Sequence, residues 1–235
     1  DANSTLTYSL VTGDGSVDNN SFSIVGNELK LNTNTDFESK SSYSIRIKVT
    51  DKGGLTFEKA VAIAVNDLNE APTDLFLSAT SIDENSSIDT TIATLTSSDP
   101  DSGDIHTYSL VAGEGDVDNN SFNLVGNELR LNNSPDFETK SSYSLRIRST
   151  DAAGLFLDKI VTISVKDLNE APIELNLSAT NVDENIAANT VIATLSSTDQ
   201  DAENTHTYSL VSGEGDSDNN AFTIVNNQIQ INNSP

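Results

Sequence analysis

The sequence predicts an all-β protein of tandem, seven-stranded Greek-key β-sandwiches of the immunoglobulin-like class. Three observations carry this. The hexapeptide Asp67-Leu68-Asn69-Glu70-Ala71-Pro72 returns letter for letter at Asp167–Pro172, a period of 100 residues. That period is too long for a solenoid unit and fits a whole sandwich. Alternating apolar runs flank each copy: Val61, Ile63 and Val65 before the first with Leu75 and Leu77 after it, then Val161, Ile163 and Val165 before the second with Leu175 and Leu177 after it. Period-two alternation reads as strands with one buried face. Finally, clusters of Gly, Asn, Asp and Ser separate the runs as turn chemistry requires, and no segment sustains a helical period.

The elements follow in order. Tyr8, Tyr108 and Tyr208 each sit in a TYSLV run, and Phe22, Phe122 and Phe222 each follow an acidic, Asn-rich turn. The repeat divides the chain into residues 1–72, a partial unit lacking its first strands; 73–172, a complete unit; and 173–235, a partial unit lacking its last strands. Both ends read as cuts through a repeat, and with no Met and no signal peptide the chain reads as an internal piece of something longer. Within 73–172 the strands are expected at about 74–82, 90–97, 106–112, 121–126, 128–133, 142–150 and 155–166. Leu75, Leu77, Ile82, Ile92, Leu95, Tyr108, Leu110, Phe122, Leu124, Leu129, Leu131, Tyr143, Leu145, Ile147, Val161, Ile163 and Val165 are the expected core.

Composition narrows the function. Twelve basic residues against 36 acidic ones leave a net charge of −24. Nucleic acid and anionic membrane surfaces would repel such a chain. There is no cysteine to staple a small core, and no apolar stretch of about 18 residues to span a membrane. The charge suits an extracellular, cation-binding or simply very soluble protein.

The carboxylates are grouped. Asp83-Glu84-Asn85 and its copy Asp183-Glu184-Asn185 follow the first strand. Asp99 and Asp101, with Asp199 and Asp201, end the second. Asp36-Phe37-Glu38 and Asp136-Phe137-Glu138 precede the sixth, and Asp51 and Asp151 follow it. The connectors add Asp67 with Glu70, and Asp167 with Glu170. Sandwich topology sends the ends of the second and sixth strands to the pole where the chain enters, and the start of the sixth to the opposite pole. The base of one unit then faces the top of the next across the hexapeptide. Carboxylates meeting there repel without a cation. Calcium, with six to eight oxygen ligands and irregular geometry, fits better than magnesium. The absence of Cys and the presence of two His argue against zinc or copper.

These motifs resemble cadherin repeats along the whole chain. The matching pieces are the early Glu84, DFE in the place of LDRE, STDAAG in the place of AxDxG, DPD in the place of DxD, and DLNEAP in the place of DxNDNAP. The resemblance implies calcium bound between successive repeats. The first junction would use Asp36, Glu38, Asp67, Asn69, Glu70, Asp99, Asp101 and Asp151, with the carbonyls of Leu68 and Ala71. The second would use Glu84, Asp136, Glu138, Asp167, Asn169, Glu170, Asp199 and Asp201, with the carbonyls of Leu168 and Ala171. Glu replaces the family's Asp in the connector, and the loop after DPD is short, which leaves Asp104 a secondary candidate. The Cys-free, Ser/Thr/Asn-rich units resemble bacterial cadherin-like repeats of large surface adhesins. The implied function is adhesion, homophilic or to other cell-surface proteins, as stalk or adhesive surface.

Other features are weaker signals. Asp116 and Asp118 in GEGDVDNN read as an ordinary turn, with a peripheral cation site as the second reading. His106 and His206, where the first unit has Leu6, read as partly buried strand positions. No nucleophile elbow, phosphate loop or His-containing zinc motif is present, so an enzyme is not expected. The alternative function is a β-sandwich that grips a carbohydrate or a protein independently of calcium. The absence of Trp weakens the carbohydrate version.

Overall fold

The computed structural model describes residues 5–202 and 204–233. The strands of the first unit are β1 (Thr7–Leu10), β2 (Phe22–Val25), β3 (Glu28–Leu31), β4 (Ser42–Thr50) and β5 (Thr56–Ala64). The second unit holds β6 (Asp74–Leu77), β7 (Ser81–Asp83), β8 (Thr91–Ser98), β9 (Thr107–Leu110), β10 (Phe122–Val125), β11 (Glu128–Leu131), β12 (Ser142–Thr150) and β13 (Phe156–Lys166). The third holds β14 (Glu174–Leu177), β15 (Val191–Thr198), β16 (Phe222–Val225) and β17 (Gln228–Ile231). Short 3-10 turns, at Asn19–Ser21, Asn119–Ser121 and Asn219–Ala221, precede the Phe strands. Among the described residues no helix is long and apolar enough to cross a membrane.

The second unit is a sandwich of two four-stranded sheets, ordered β10-β11-β8-β6 and β7-β13-β12-β9. Every pairing is antiparallel except β13 with β7, where Val165 lies opposite Ile82. The alternating residues of the two inner faces meet in one core, in which Leu75, Leu95, Leu129, Leu131, Leu145, Ile147 and Ile163 are fully enclosed. Leu77, Tyr108, Leu110, Leu124 and Tyr143 pack against it half-buried.

One expectation is corrected. The first strand is not continuous over 74–82. It breaks at Ser78–Thr80 into β6, paired with β8, and β7, paired with β13. The reason is parity. Leu75 and Ile82 are an odd number of residues apart, so a single strand would bury one and expose the other. Changing sheets at the break lets both face the core, and both are buried.

The flanking units show the same pattern with fewer strands. In the first, β1-β4-β5 form one sheet and β2-β3 a separate hairpin. Leu29 and Leu31 are each 40% exposed, where Leu129 and Leu131 are enclosed by strands with no counterpart among the described residues of the first unit. In the third, β14-β15-β17-β16 form one sheet, and the run around Tyr208 forms no strand. Its counterpart β9 pairs with β12, and the described residues of the third unit hold no strand equivalent to β12.

The GEGDVDNN segment folds as a turn held by a donor of its own and by donors from β12 and the loop before it. Asp118 Oδ2 accepts the Ser144 N–H at 2.8 Å, while its Oδ1 meets Lys140 Nζ at 2.6 Å. Asp116 Oδ2 accepts the Gly113 N–H at 2.9 Å. Gly115 has φ +86°, and a Cβ there would stand 2.7 Å from Ile160 Cγ2, so the turn lies flat on β13 only with glycine.

Candidate metal centre

Each junction is assembled from a rigid loop at the top of one sandwich, the connector, and a loop at the base of the sandwich before. At the first junction the top loop follows β8. Asp99 Oδ1 accepts the Asp101 N–H at 3.1 Å, which curls the loop beside the connector. The other oxygen of Asp99 meets His106 Nε2 at 2.9 Å, in a pocket that leaves the imidazole side chain 9% exposed. The loop after β12 presents Asp151. Its Oδ1 accepts the N–H groups of Gly154 at 2.6 Å and Leu155 at 2.8 Å, and its Oδ2 takes Asn69 Nδ2 of the connector at 2.8 Å. Glu70 N donates to Asp101 Oδ2 at 2.8 Å. The connector is thus bound to the second sandwich by hydrogen bonds before any ion is considered.

Against this frame one oxygen each from Glu38, Asp67, Glu70 and Asp101 come within 4.8 Å of one another. They arrive from the base of the first unit, the connector and the top of the second. A separate triad of Asp99, Asp104 and Asp151 lies within the same distance. Asp36 stands outside both groups, its oxygens taken by Ser39 N at 3.0 Å and Ser39 Oγ at 2.8 Å.

The second junction repeats the plan and includes Glu84. Glu84 is 2% exposed, accepting the Leu168 N–H at 2.6 Å on one oxygen and the Phe137 N–H at 2.8 Å on the other. It ties the connector to the DFE loop. Glu84, Asp136 and Glu138 form one group, and Glu138, Glu170 and Asp201 form another, with Glu138 shared. Glu170 N donates to Asp201 Oδ2 at 2.9 Å, and His206 Nε2 meets Asp199 Oδ2 at 2.8 Å. Asp167 and Asn169 line the same open cleft as Glu138 and Asp201. The carbonyls of Leu68, Ala71, Leu168 and Ala171 accept no backbone hydrogen bond among the described residues.

The electrostatics follow from crowding. Burial, then the negative charges of Glu38, Asp101 and Asp67, push Glu70 above the usual carboxylate range. Asp167 rises through burial and the charges of Asp201 and Glu84. Glu170 rises through burial, against which the Asn85 hydrogen bond works in the opposite direction. Asp104 rises through burial and the charges of Asp101, Asp99 and Asp151. Where donors are close the shift reverses: Ser39 lowers Asp36, Thr139 lowers Asp136 and His206 lowers Asp199. Burial pushes Asp151 up, but Asn69, Leu155 and Gly154 outweigh it and hold the group below the ordinary range.

Two oxygens decide what could fill these groups. Glu170 Oε2 and Asp104 Oδ2 are buried without a hydrogen-bond partner among the described residues. A buried carboxylate oxygen without a donor is costly unless a cation meets it. The donor set is oxygen throughout, which a hard cation such as calcium matches. Sequence reasoning assigned no site role to His106, His206, Asn85 or Asn204. The signal for the two histidines was their place seven residues after Asp99 and Asp199. Asn85 Nδ2 donates to Glu170 Oε1 at 2.6 Å, across a sequence gap that only folding closes.

No protein-family model matches the chain. The human protein Protocadherin Fat 4 is 33% identical over a 184-residue alignment covering 72% of this chain and 4% of that protein. The chain therefore spans a small fraction of the curated relative it matches. Among solved structures, mouse cadherin-23 EC22–24 is 25% identical with a TM-score of 0.62, covering 98% of this chain and 76% of that one. The extracellular cadherin domains 3–6 of protocadherin gamma B2 have a TM-score of 0.65 at 22% identity, covering 97% of this chain and 58% of that one, a likeness of fold.

Proposed function

We propose, from the premise that this chain is built of cadherin repeats, that it is an extracellular, calcium-stiffened array serving adhesion as stalk or adhesive surface of a larger protein. The observation that carries the reading is the convergence of carboxylates from successive units across each connector, with a buried donor-less oxygen inside the cross-connector group at the second junction (Glu170 Oε2) and in the neighbouring triad of the second unit at the first (Asp104 Oδ2). Bound calcium would supply positive charge and oxygen coordination. The chain's own residues do the rest. Asp151 and Asn69, with Asp101 and the Glu70 N–H, hold the connector on the second sandwich. Glu84 fastens the next connector to the DFE loop. Glu38, Asp67 and Glu70 at the first junction, and Glu138, Asp167 and Glu170 at the second, present the charges that repel when no cation lies between them. Asp36, Asp99, Asp136 and Asp199 complete the carboxylate sets from the surrounding loops.

The mechanism is linkage. An ion that binds the assembled junction and not the loosened one stabilises assembly by mass action. Extracellular modules of this kind bind calcium with Kd values of about 10⁻⁴ to 10⁻³ M, so millimolar calcium outside the cell would hold the joints and its removal would release them. The partners this suits are like repeats or other cell-surface proteins. The likenesses do not favour the alternative of a carbohydrate-gripping module.

Small-angle X-ray scattering of the chain, with and without millimolar calcium, tests the proposal. A particle that lengthens and stiffens with calcium supports it. Identical scattering in both states would reduce the acidic connectors to solvated turns.

A further inference from the structure

The chain enters the second unit on β6 and β7 and leaves it on β13. The structure bonds these first and last strands directly to each other at both ends. Near the exit, β7 runs parallel to β13, with Ser81 opposite Ser164 and Asp83 opposite Lys166. Glu84 N donates to Lys166 O at 3.1 Å and Ser164 N to Thr80 O at 2.9 Å, while Lys166 Nζ meets Asp83 Oδ1 at 3.2 Å. Near the entry the bond is a side chain. Lys159 alternates into the row of β13 that holds Leu157, Val161 and Ile163, and it reaches across to β6 in the opposite sheet. Its Nζ donates to Asp74 Oδ1 at 2.7 Å and to Leu75 O at 2.8 Å, and lies 5.4 Å from the centroid of the Phe76 ring. Among the described residues this is the one ion pair that joins a strand of one sheet to a strand of the other. A half-exposed pair adds little to equilibrium stability, so its place on the inward row calls for another reason.

The direction of load supplies one. Because β7 and β13 are parallel, the chain comes in at one end of this pair and goes out at the other. Tension along the chain draws β6 and β7 one way and β13 the other. The hydrogen bonds between strands lie across that pull, so they are loaded together and not opened one at a time. Lys159 grips two successive residues at the start of the entry strand, where the load arrives first. We propose that Lys159 is a tension latch: it ties β6 to β13, so that pulling must break this grip together with the β7–β13 pairing before the entry strand can slide out. The proposal rests on the stalk reading for the source of the load. It does not rest on calcium, because neither the latch nor the β7–β13 pairing uses a carboxylate of a junction.

The test holds the 235-residue chain by its two termini at constant force, in chelator, and records how fast the complete unit unfolds, an event marked by the release of roughly 300 Å of extended chain. Lys159→Met keeps the aliphatic stem against Phe76 and removes the ammonium. Lys140→Met is the matched control. The Lys140 and Lys159 side chains are each 39% exposed, and Lys140 Nζ lies 2.6 Å from Asp118 Oδ1 and 5.4 Å from the Tyr143 ring centroid, yet that pair involves none of β6, β7 and β13. Lys159→Met is expected to raise the unfolding rate under load by about tenfold, as the loss of charge-assisted hydrogen bonds broken on the way out predicts, and Lys140→Met to stay within about twofold. Urea midpoints without force should shift alike in the two variants. If both variants speed unfolding under load equally, or neither does, Lys159 is an ordinary surface pair and the inference is wrong. The measurement is made without calcium, so flat scattering in the calcium experiment would remove the calcium reading and leave the latch standing.

Discussion

Glu84 shows what a single carboxylate does at a junction. Both of its oxygens receive backbone N–H groups, from Leu168 and Phe137, in a site closed to solvent. Glu84→Gln keeps the shape but turns an NH₂ toward one of those N–H donors. The expected cost is about 1–3 kcal/mol for the unmatched buried group, read as a lower urea midpoint for the second unit in chelator. Asp158 works differently, on the outer face of β12 and β13. Arg148 Nε holds one oxygen at 2.6 Å and Arg146 Nη2 the other at 2.9 Å. The hydrogen bond from Arg148 leads in depressing its pKa from 3.8 to about 2. A carboxylate depressed in the folded state stabilises above its unfolded value and loses that contribution as pH falls through the folded one. Urea midpoints measured from pH 5 to pH 2 should therefore fall most below about pH 4, and Asp158→Asn should flatten that part of the profile.

At the scale of elements, the β12–β13 hairpin supports the complete sandwich. It is paired without interruption from Ser142 opposite Ser164 to Thr150 opposite Phe156. Its inward residues Leu145, Ile147 and Ile163 are fully enclosed. Phe122 meets Tyr143 edge-on, centroids 5.2 Å apart, joining this sheet to the other, and Phe22 meets Tyr43 in the same way at 5.4 Å. Leu145→Ala leaves a hole that rigid neighbours on both sheets cannot close, for a loss of roughly 2–5 kcal/mol. Chemical denaturation followed by the tyrosine signal would detect it, and an unchanged midpoint would mean that the core relaxes into the space. The position of this hairpin also sets the site, because Asp136 and Glu138 precede β12 while Asp151 follows it. One hairpin thereby contributes acids to both junctions.

For the whole molecule the prediction concerns independence. Asp67→Ala removes a charge from the first junction and Asp167→Ala one from the second, and neither side chain is in a sandwich core. Each variant is expected to lower calcium affinity at its own junction by about tenfold or more, in line with the sensitivity of metal sites to their ligand shells. Calorimetry would give the affinity, and amide exchange should show faster connector amides between sandwiches that keep their protection. Exchange rising throughout a neighbouring sandwich would show that the ion supports the fold as well as the joint.

Strand order, turn positions and the grouping of acids were legible because they are local or periodic. Alternation marks β8, β12 and β13 to within a residue or so, and the 100-residue period brings homologous carboxylates into register without any coordinates. The break between β6 and β7 could be read only in hindsight, from the odd spacing of Leu75 and Ile82, because two competing sheets decide it. The imidazole of His106 on Asp99, the amide of Asn85 on Glu170, the two N–H groups on Glu84 and the buried oxygen of Asp104 lay outside what a sequence can specify. The sequence alone determined that sandwiches repeat and that acids gather at their poles, since hydrophobic period and charge are properties of the chain. Which oxygens meet, which are already satisfied and which are left without a donor were decided by the tertiary structure, because hydrogen bonds and burial depend on atoms brought together from as many as 85 residues apart.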